Sequence, residues 1–72
     1  MDGASSQALI SVNGRTMALQ ARTLKELLEE LRLGADAVVA EVNGRIIAAE
    51  DFAATALEAG DSVELVRFVG GG

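Results

Sequence analysis

The fold of this chain depends first on the stretch Thr23-Leu24-Lys25-Glu26-Leu27-Leu28-Glu29-Glu30-Leu31. Its four leucines recur at the i, i+3, i+4 and i+7 positions, which places them on one stripe of an α-helix and leaves the charged side chains on the other side. Each leucine that such a stripe buries contributes about 1.5–3 kcal/mol. The stretch therefore predicts an amphipathic helix whose apolar stripe makes the main stabilising contact of the domain.

Both ends of the predicted helix carry local signals. Thr23 and Glu26 match a capping box, in which the threonine side chain accepts a hydrogen bond from the Glu26 backbone amide while the glutamate reaches back. Beyond the last leucine, Gly34 stands where a left-handed residue would close the helix. We expect the helix to begin after Thr23 and to be closed by Gly34.

Five short segments rich in aliphatic and β-branched residues predict β-strands. They are residues 8–12, 15–19, 37–42, 45–47 and 62–69. The dipeptides Asn13-Gly14 and Asn43-Gly44 join the first four strands in pairs, because both residue types tolerate the positive φ of a type I′ turn. Gly60-Asp61 turns the chain into the last strand. In the first hairpin, the two-residue turn places four side chains on one side of the sheet: Ile10, Val12, Met17 and Leu19.

The order of these elements favours one fold class. A hairpin followed by a helix and then by further strands does not suit a doubly wound parallel sheet. It predicts an α+β fold, a mixed sheet of four to five strands with one helix across one face. Residues 49–53 are expected to form a loose helical turn that buries Phe52, with Leu57 joining it in the core.

Composition narrows the possible functions. The 72 residues suffice for one small domain, and half of them are apolar. The absence of cysteine and histidine excludes disulfides, thiolate or iron–sulfur sites, Ser-His and Cys-His nucleophile pairs and nearly every zinc site. A net charge of −5 with scattered cations argues against nucleic acid and favours a protein partner with a basic face.

The sequence also argues against a membrane protein, because no apolar run approaches the ~20 residues that span a bilayer. Residues 1–7 are acidic and polar, and they lack the basic start and apolar run of a secretory signal. We expect them to form a disordered N-terminal extension. The cysteine-free composition fits a reducing compartment, so we expect a cytoplasmic protein. We also expect the free protein to be a monomer.

The eleven acidic residues do not indicate a catalytic pair. Glu26, Glu29 and Glu30 fall on the solvated helix face, and Glu50 and Asp51 lie in a connection. Neither Asn-Gly dipeptide is accompanied by a glycine-rich phosphate loop or its lysine. We therefore expect no catalytic residue, no metal site and no bound cofactor, and no enzymatic activity of the chain by itself.

The sequence ends in Gly70-Gly71-Gly72. Glycine has no Cβ, so residues 69–72 are predicted to form a flexible tail thin enough for Gly70 and Gly71 to thread into a partner's active site. A frayed chain end would have the same composition. By elimination, the Gly72 carboxylate is the group placed to react, since adenylation with ATP would expose its carbonyl to a sulfur nucleophile and yield a thiocarboxylate.

Alternation in the last strand indicates a docking patch beside this tail. Val63, Leu65 and Val69 share the face that packs under the helix, whereas Val66 and Phe68 share the opposite face. An apolar pair next to a reactive terminus suits partner docking. Isolated exposed apolar residues are also common without any function, and the strand alone does not separate the two interpretations.

These pieces together resemble a known family. The hairpin, the helix at residues 23–28, the segments 39–47 and 59–65, and the closing Gly71-Gly72 are similar to the sulfur carrier proteins of thiamin biosynthesis, the ThiS family. The resemblance covers residues 8–72. It implies a ubiquitin-like β-grasp fold for residues 8–68, with the extension before it and the glycine tail after it.

The resemblance also implies the partners. An adenylyltransferase (ThiF-like) would use ATP to activate Gly72, a desulfurase-linked donor would convert Gly72 to a thiocarboxylate, and a thiazole synthase (ThiG-like) would take the sulfur. Gly71 would be the narrow lead-in, and Val66 and Phe68 match the region that contacts partners. The N-terminal extension is longer than is usual in the family, and Gly70 makes the tail a triple glycine.

Other functions stay open at this point. The small subunit of molybdopterin synthase, or a carrier for another sulfur-containing metabolite, would use the same chemistry. A ubiquitin-like modifier would join the activated terminus to lysines, and a plain β-grasp binding module would have an inert tail. The ferredoxin variant of the fold is excluded, because it requires four cysteines.

Overall fold

The computed structural model describes residues 7–68 of the chain. This part contains five β-strands and one α-helix, which are β1 (Ala8–Val12), β2 (Arg15–Leu19), α1 (Leu24–Glu30), β3 (Val38–Val42), β4 (Arg45–Ile47) and β5 (Ser62–Arg67). Two short 3-10 helices, Ala35–Ala37 and Ala49–Ala54, lie in the connections. The predicted loose turn after β4 is the second of these, and it buries Phe52 as expected.

The five strands form one mixed sheet in the order β2-β1-β5-β3-β4. β1 and β5 are parallel, and every other neighbouring pair is antiparallel. The last strand therefore lies in the centre of the sheet, between the two hairpins. The buried leucines of α1 join one core with the inner face of the sheet, which confirms the predicted α+β arrangement.

Both Asn-Gly turns have the expected backbone conformation. Asn13 and Gly14 have φ angles of 52° and 83°, and Asn43 and Gly44 have φ angles of 53° and 84°. Two successive residues with positive φ characterise a type I′ turn. In the first hairpin Ile10 pairs with Met17, so the register agrees with the predicted one.

The start of α1 is capped by side chains. The Thr23 hydroxyl accepts a hydrogen bond from the Glu26 backbone amide at 3.2 Å. The Glu26 carboxylate reaches back as expected, but it accepts from the backbone amide of Arg22 at 2.7 Å. This is one residue earlier than in the standard capping box. The neighbouring bridge between Thr23 and Ala56 is closed by the Leu24 amide, which donates to the Thr55 carbonyl, and by the Arg22 carbonyl, which accepts from the Leu57 amide.

The prediction that Gly34 closes the helix in a left-handed conformation was wrong. Arg32 is the left-handed residue, with φ 61°, whereas Gly34 is extended with φ −77°. The Leu33 amide donates to the Leu28 carbonyl and the Arg32 amide to the Glu29 carbonyl, which is a Schellman motif. The helix ends early because Leu33 turns back onto the core, where its burial favours the conformation of Arg32.

The core lies between α1 and the inner face of the sheet. Leu24, Leu27 and Leu28 are fully buried, and Leu31 is half-buried at the edge of the stripe. Val63 and Leu65 of β5 face the helix as predicted, and Phe52 and Leu57 complete the core. The predicted strand 62–69 ends at Arg67, with Phe68 adding one backbone hydrogen bond to Ala37. Val69 lies outside the described residues.

Candidate functional site

The candidate docking surface lies on the outer face of the sheet, the face turned away from α1. Val66 and Phe68 stand there at the end of β5, with 61% and 60% of their surfaces exposed. Val39 of β3 is the cross-strand partner of Val66 and is half-buried beside it. We call Val39, Val66 and Phe68 the outer patch.

Sequence reasoning found two members of the outer patch and missed Val39. The segment 37–42 was interpreted as a strand buried on much of both faces, whereas only Val38, Ala40 and Val42 are fully buried. The alternation of Val39 and Glu41 was a local signal that these side chains face outwards. That Val39 lies opposite Val66 follows only from the pairing of β3 with β5.

Two carboxylates border the outer patch. Glu41 lies directly opposite Glu64, one pair of outward-facing residues away from Val39 and Val66. Within residues 7–68 neither carboxylate takes part in an ion pair. The end of the sheet that leads to the C-terminus thus offers an apolar surface next to two unpaired negative charges, which suits a partner with an apolar pocket and a basic rim.

The outer face holds two further exposed apolar side chains that sequence reasoning did not single out. Leu9 of β1 is 60% exposed and Ile46 of β4 is 70% exposed. Leu9 lies at the opposite end of the sheet, where its carbonyl accepts from the Gly60 amide. Ile46 is the cross-strand partner of Glu41, so it extends the surface beside the outer patch to the sheet edge.

Asparagine side chains hold β5 in place at two points, its first residue Ser62 and the interior residue Leu65. The Asn13 amide group donates to the Leu65 carbonyl at 3.2 Å and accepts from the Leu65 amide at 2.7 Å. Asn43 accepts from the Ser62 amide at 2.9 Å and donates to Asp61. The sequence indicated these asparagines only as turn residues. Their polar side chains next to a strand end were the available signal for a second role.

The remaining predictions concern the glycine tail, the N-terminal extension and the acidic side chains. Gly70, Gly71 and Gly72 lie outside the described residues, and so do positions 1–6 of the proposed N-terminal extension. The acidic residues of the helix and of the second 3-10 helix are exposed, as expected for solvated surface. Between residues 7 and 68, no group of acidic side chains is arranged to hold a metal ion. In the same range, no helix has the length and apolar character that crossing a bilayer requires.

Comparison with known proteins identifies the family. The family model of the ThiS family matches residues 7–72. The chain belongs to the ThiS family. The resemblance noted from the sequence is thereby confirmed, and so is the ubiquitin-like β-grasp fold that it implied.

Solved structures of similar proteins agree with this assignment. The crystal structure of the thiamine biosynthesis protein ThiS from Geobacter metallireducens has 35% sequence identity and a TM-score of 0.75 over 89% of this chain and 99% of that chain. The NMR solution structure of a thiamine biosynthesis protein from the same organism has 35% identity and a TM-score of 0.73 over 89% of this chain and 87% of that chain. No significant match was found among curated proteins.

Proposed function

We propose that this ThiS-family chain is a sulfur carrier of thiamine biosynthesis whose Gly72 carboxylate is converted to a thiocarboxylate. The observation that carries the proposal is the family match over residues 7–72, which spans the β-grasp domain and the glycine tail together. The two solved structures described above, which each cover 89% of this chain, are of thiamine biosynthesis proteins. The reactivity of an activated glycine carboxylate also supports the sulfur-transfer step.

The proposed reaction uses groups that the partners provide. A carboxylate resists nucleophilic attack, so a partner adenylyltransferase first joins the Gly72 carboxylate to AMP from ATP and releases pyrophosphate. A sulfide-level nucleophile from the donor system then attacks the carbonyl, and AMP leaves. Because glycine has no Cβ, little bulk shields this carbonyl from attack. The thiocarboxylate next gives up its sulfur on a thiazole synthase.

In this proposal the chain docks onto its partners and presents its C-terminal carboxylate to them. It binds no cofactor of its own. Val66 and Phe68 fill an apolar pocket of the partner, while Glu41 and Glu64 face basic residues at the rim of that pocket. Both contacts lie at the end of the sheet from which residues 69–72 continue. Gly70 and Gly71 then lead Gly72 to the reacting groups. An ATP-dependent partner and a sulfide-level donor require a reducing compartment with ATP, so we place the carrier in the cytoplasm.

Intact-mass spectrometry tests the reaction. The full chain is incubated with its adenylating enzyme, ATP and a sulfide source, and the proposal expects a mass gain equal to one oxygen-to-sulfur exchange. Omitting ATP should abolish the gain, and fragmentation should place the sulfur on Gly72. An unchanged mass under complete conditions would contradict the proposal.

A second assay identifies the acceptor. The thiocarboxylate form is offered to a thiazole synthase with its precursors, to the large subunit of a molybdopterin synthase with its precursor, and to proteins with accessible lysines. Thiazole formation supports the proposed pathway. Sulfur transfer to the molybdopterin precursor or isopeptide bonds to lysine would assign the same activated terminus to a different function.

A further inference from the structure

A cleft opens on the other side of the sheet, the side that carries α1. It has a volume of about 310 Å³. Its floor consists of aliphatic side chains from the hairpin, from β5 and from the turn after α1, namely Val12, Met17, Leu31, Leu33 and Leu65. The left-handed conformation of Arg32, just after α1, shapes this floor because it directs Leu33 back towards the core.

Two arginines line the cleft. Arg15 begins β2 and Arg67 ends β5, and both are exposed. The chain has six cationic residues against eleven acidic ones, yet two of these cations and none of the acids line the cleft. Within residues 7–68 neither guanidinium takes part in an ion pair or a side-chain hydrogen bond. The cleft is therefore a positively charged apolar site on an acidic protein.

The positions of the arginines indicate the shape of the occupant. Arg15 pairs with Val12, and Val12 lies beside Val63 of β5, four residues before Arg67. With strands about 4.8 Å apart and a rise of about 3.3 Å per residue, the Cα atoms of Arg15 and Arg67 are about 16 Å apart. The aliphatic floor lies between the two backbone positions, so the cleft matches an extended segment with an apolar side chain between two carboxylates.

A nucleotide fits these observations less well. No aromatic side chain lines the cleft to stack on a base. The Asn13 side chain also lines it, but both polar atoms of its amide are engaged with the Leu65 backbone. The guanidiniums of Arg15 and Arg67 thus remain as the charged donors, and guanidinium groups bind carboxylates in bidentate geometry.

We infer that this cleft is a second docking site, which binds an acidic segment of a protein partner with an aliphatic side chain between two carboxylates. The site is separate from the outer patch, because Val66 and Arg67 are consecutive residues that point to opposite faces of the sheet. A partner segment can therefore occupy the cleft while the outer patch is engaged. This would let one carrier contact two proteins, or two parts of one protein, at the same time.

Peptide titration of the full, isotope-labelled chain tests the inference by NMR. The probe is a peptide of about eight residues with alternating glutamate and leucine, long enough to span the two arginines at about 3.3 Å per residue. Matched peptides replace glutamate by lysine or leucine by serine. We expect saturable shifts of the Leu31, Leu33 and Arg67 amide signals with the first peptide at up to about 1 mM and no saturation with the other two.

Charge-reversed variants provide the decisive comparison. Arg15→Glu and Arg67→Glu should each weaken binding of the glutamate-leucine peptide at least tenfold, and Arg15→Gln and Arg67→Gln should weaken it less. All four change exposed side chains, so their spectra should stay dispersed. Arg45→Glu, which reverses the charge of an exposed arginine in β4 outside the cleft, is the matched control and should leave peptide binding unchanged.

Any one of the following results would overturn the inference. The lysine-leucine peptide could bind as well as the acidic one, the arginine variants could bind normally, or the shifts could map to the outer face. AMP is titrated in parallel, and saturable shifts at the cleft with AMP but not with the peptide would assign the cleft to a nucleotide instead. None of these results bears on the sulfur-transfer reaction, which the mass assay tests separately.

Discussion

The side-chain amide of Asn13 forms two hydrogen bonds with the backbone of Leu65, although the residues are 52 positions apart in the chain. β1 ends at Val12, and the chain turns away at Asn13. The Asn13 side chain therefore takes the place of the next peptide unit of β1 along β5. It keeps β5 paired up to the residues that lead to the outer patch and the C-terminus.

Replacing Asn13 by glycine should destabilise the domain. Glycine accepts the positive φ of the turn, so the variant removes the two hydrogen bonds without adding backbone strain. We expect the free energy of unfolding to fall by about 1–3 kcal/mol, measured by urea denaturation. Asn13→Asp keeps the acceptor for the Leu65 amide, so its free energy of unfolding should fall less than that of Asn13→Gly. Equal stability of Asn13→Gly and the unaltered chain would show that the two bonds contribute nothing.

Two substitutions after α1 should affect the free energy of unfolding differently. Arg32→Gly places glycine at the left-handed position and should raise the free energy of unfolding by about 1 kcal/mol. Gly34→Ala should have a small effect, because φ at Gly34 is −77° and the added Cβ would meet the movable Asp36 side chain at 3.1 Å and the Ala37 Cβ at an ordinary contact distance of 3.9 Å. Thermal unfolding of both variants checks this. A large loss in Gly34→Ala would support the closing role that the sequence predicted for Gly34.

A negative charge introduced into the outer patch by substitution should weaken partner binding without unfolding the domain. Val66→Asp and Phe68→Asp each put a carboxylate into the apolar contact, and we expect at least tenfold weaker binding to the adenylating enzyme by calorimetry. Since both side chains are exposed, the free energy of unfolding should change by less than about 0.5 kcal/mol. Leu9→Asp is the matched control, at the same exposure on the same face but at the far end of the sheet. Equal loss of binding in Leu9→Asp would refute a localised patch.

The facing carboxylates Glu41 and Glu64 should act mainly on the rate of association. Glu64→Gln removes a like-charge pair, so we expect a stability gain of about 0.2–1 kcal/mol. It should also slow association with a basic partner, and the difference should shrink as salt is added. Stopped-flow binding at two ionic strengths measures this. Glu30→Gln, on the exposed helix face, is the control. Association that is independent of salt would exclude steering by this pair.

Deletion of Gly72 should abolish sulfur transfer and leave the fold of the domain unchanged. The shortened chain retains every described residue, so its amide spectrum and unfolding transition should match those of the full chain. Sulfur transfer should be lost, because the carboxylate would then sit on Gly71 and fall one residue short of the reacting groups. Thiazole formation that persists at the original rate would mean that Gly72 is not the reactive residue.

Local features were predictable wherever neighbouring residues decide them. The two Asn-Gly turns, the leucine stripe of α1 and the inward direction of Val63 and Leu65 all follow from φ preferences and from the periods of helix and strand. The end of α1 was not predictable in this way. Gly34 has the better intrinsic preference for the left-handed region, but burial of Leu33 outweighs the strain at Arg32.

The candidate sites were likewise predictable only where neighbouring residues decide them. Val66 and Phe68 could be assigned to the outward face from alternation alone, and the proposal that Gly72 is the reactive residue came from the residue types that the chain lacks. The sequence by itself thus determined the elements, the faces of the strands and the reactive group proposed for the tail. Tertiary structure alone decided that β5 lies between β1 and β3, which places Val39 beside Val66, Asn13 against Leu65, and Arg15 in one cleft with Arg67. The physical reason is that the pairing of β5 with β1 and β3 joins residues distant in sequence, and no local preference for φ or burial specifies those neighbours, whereas the Asn-Gly turns specify the two hairpins.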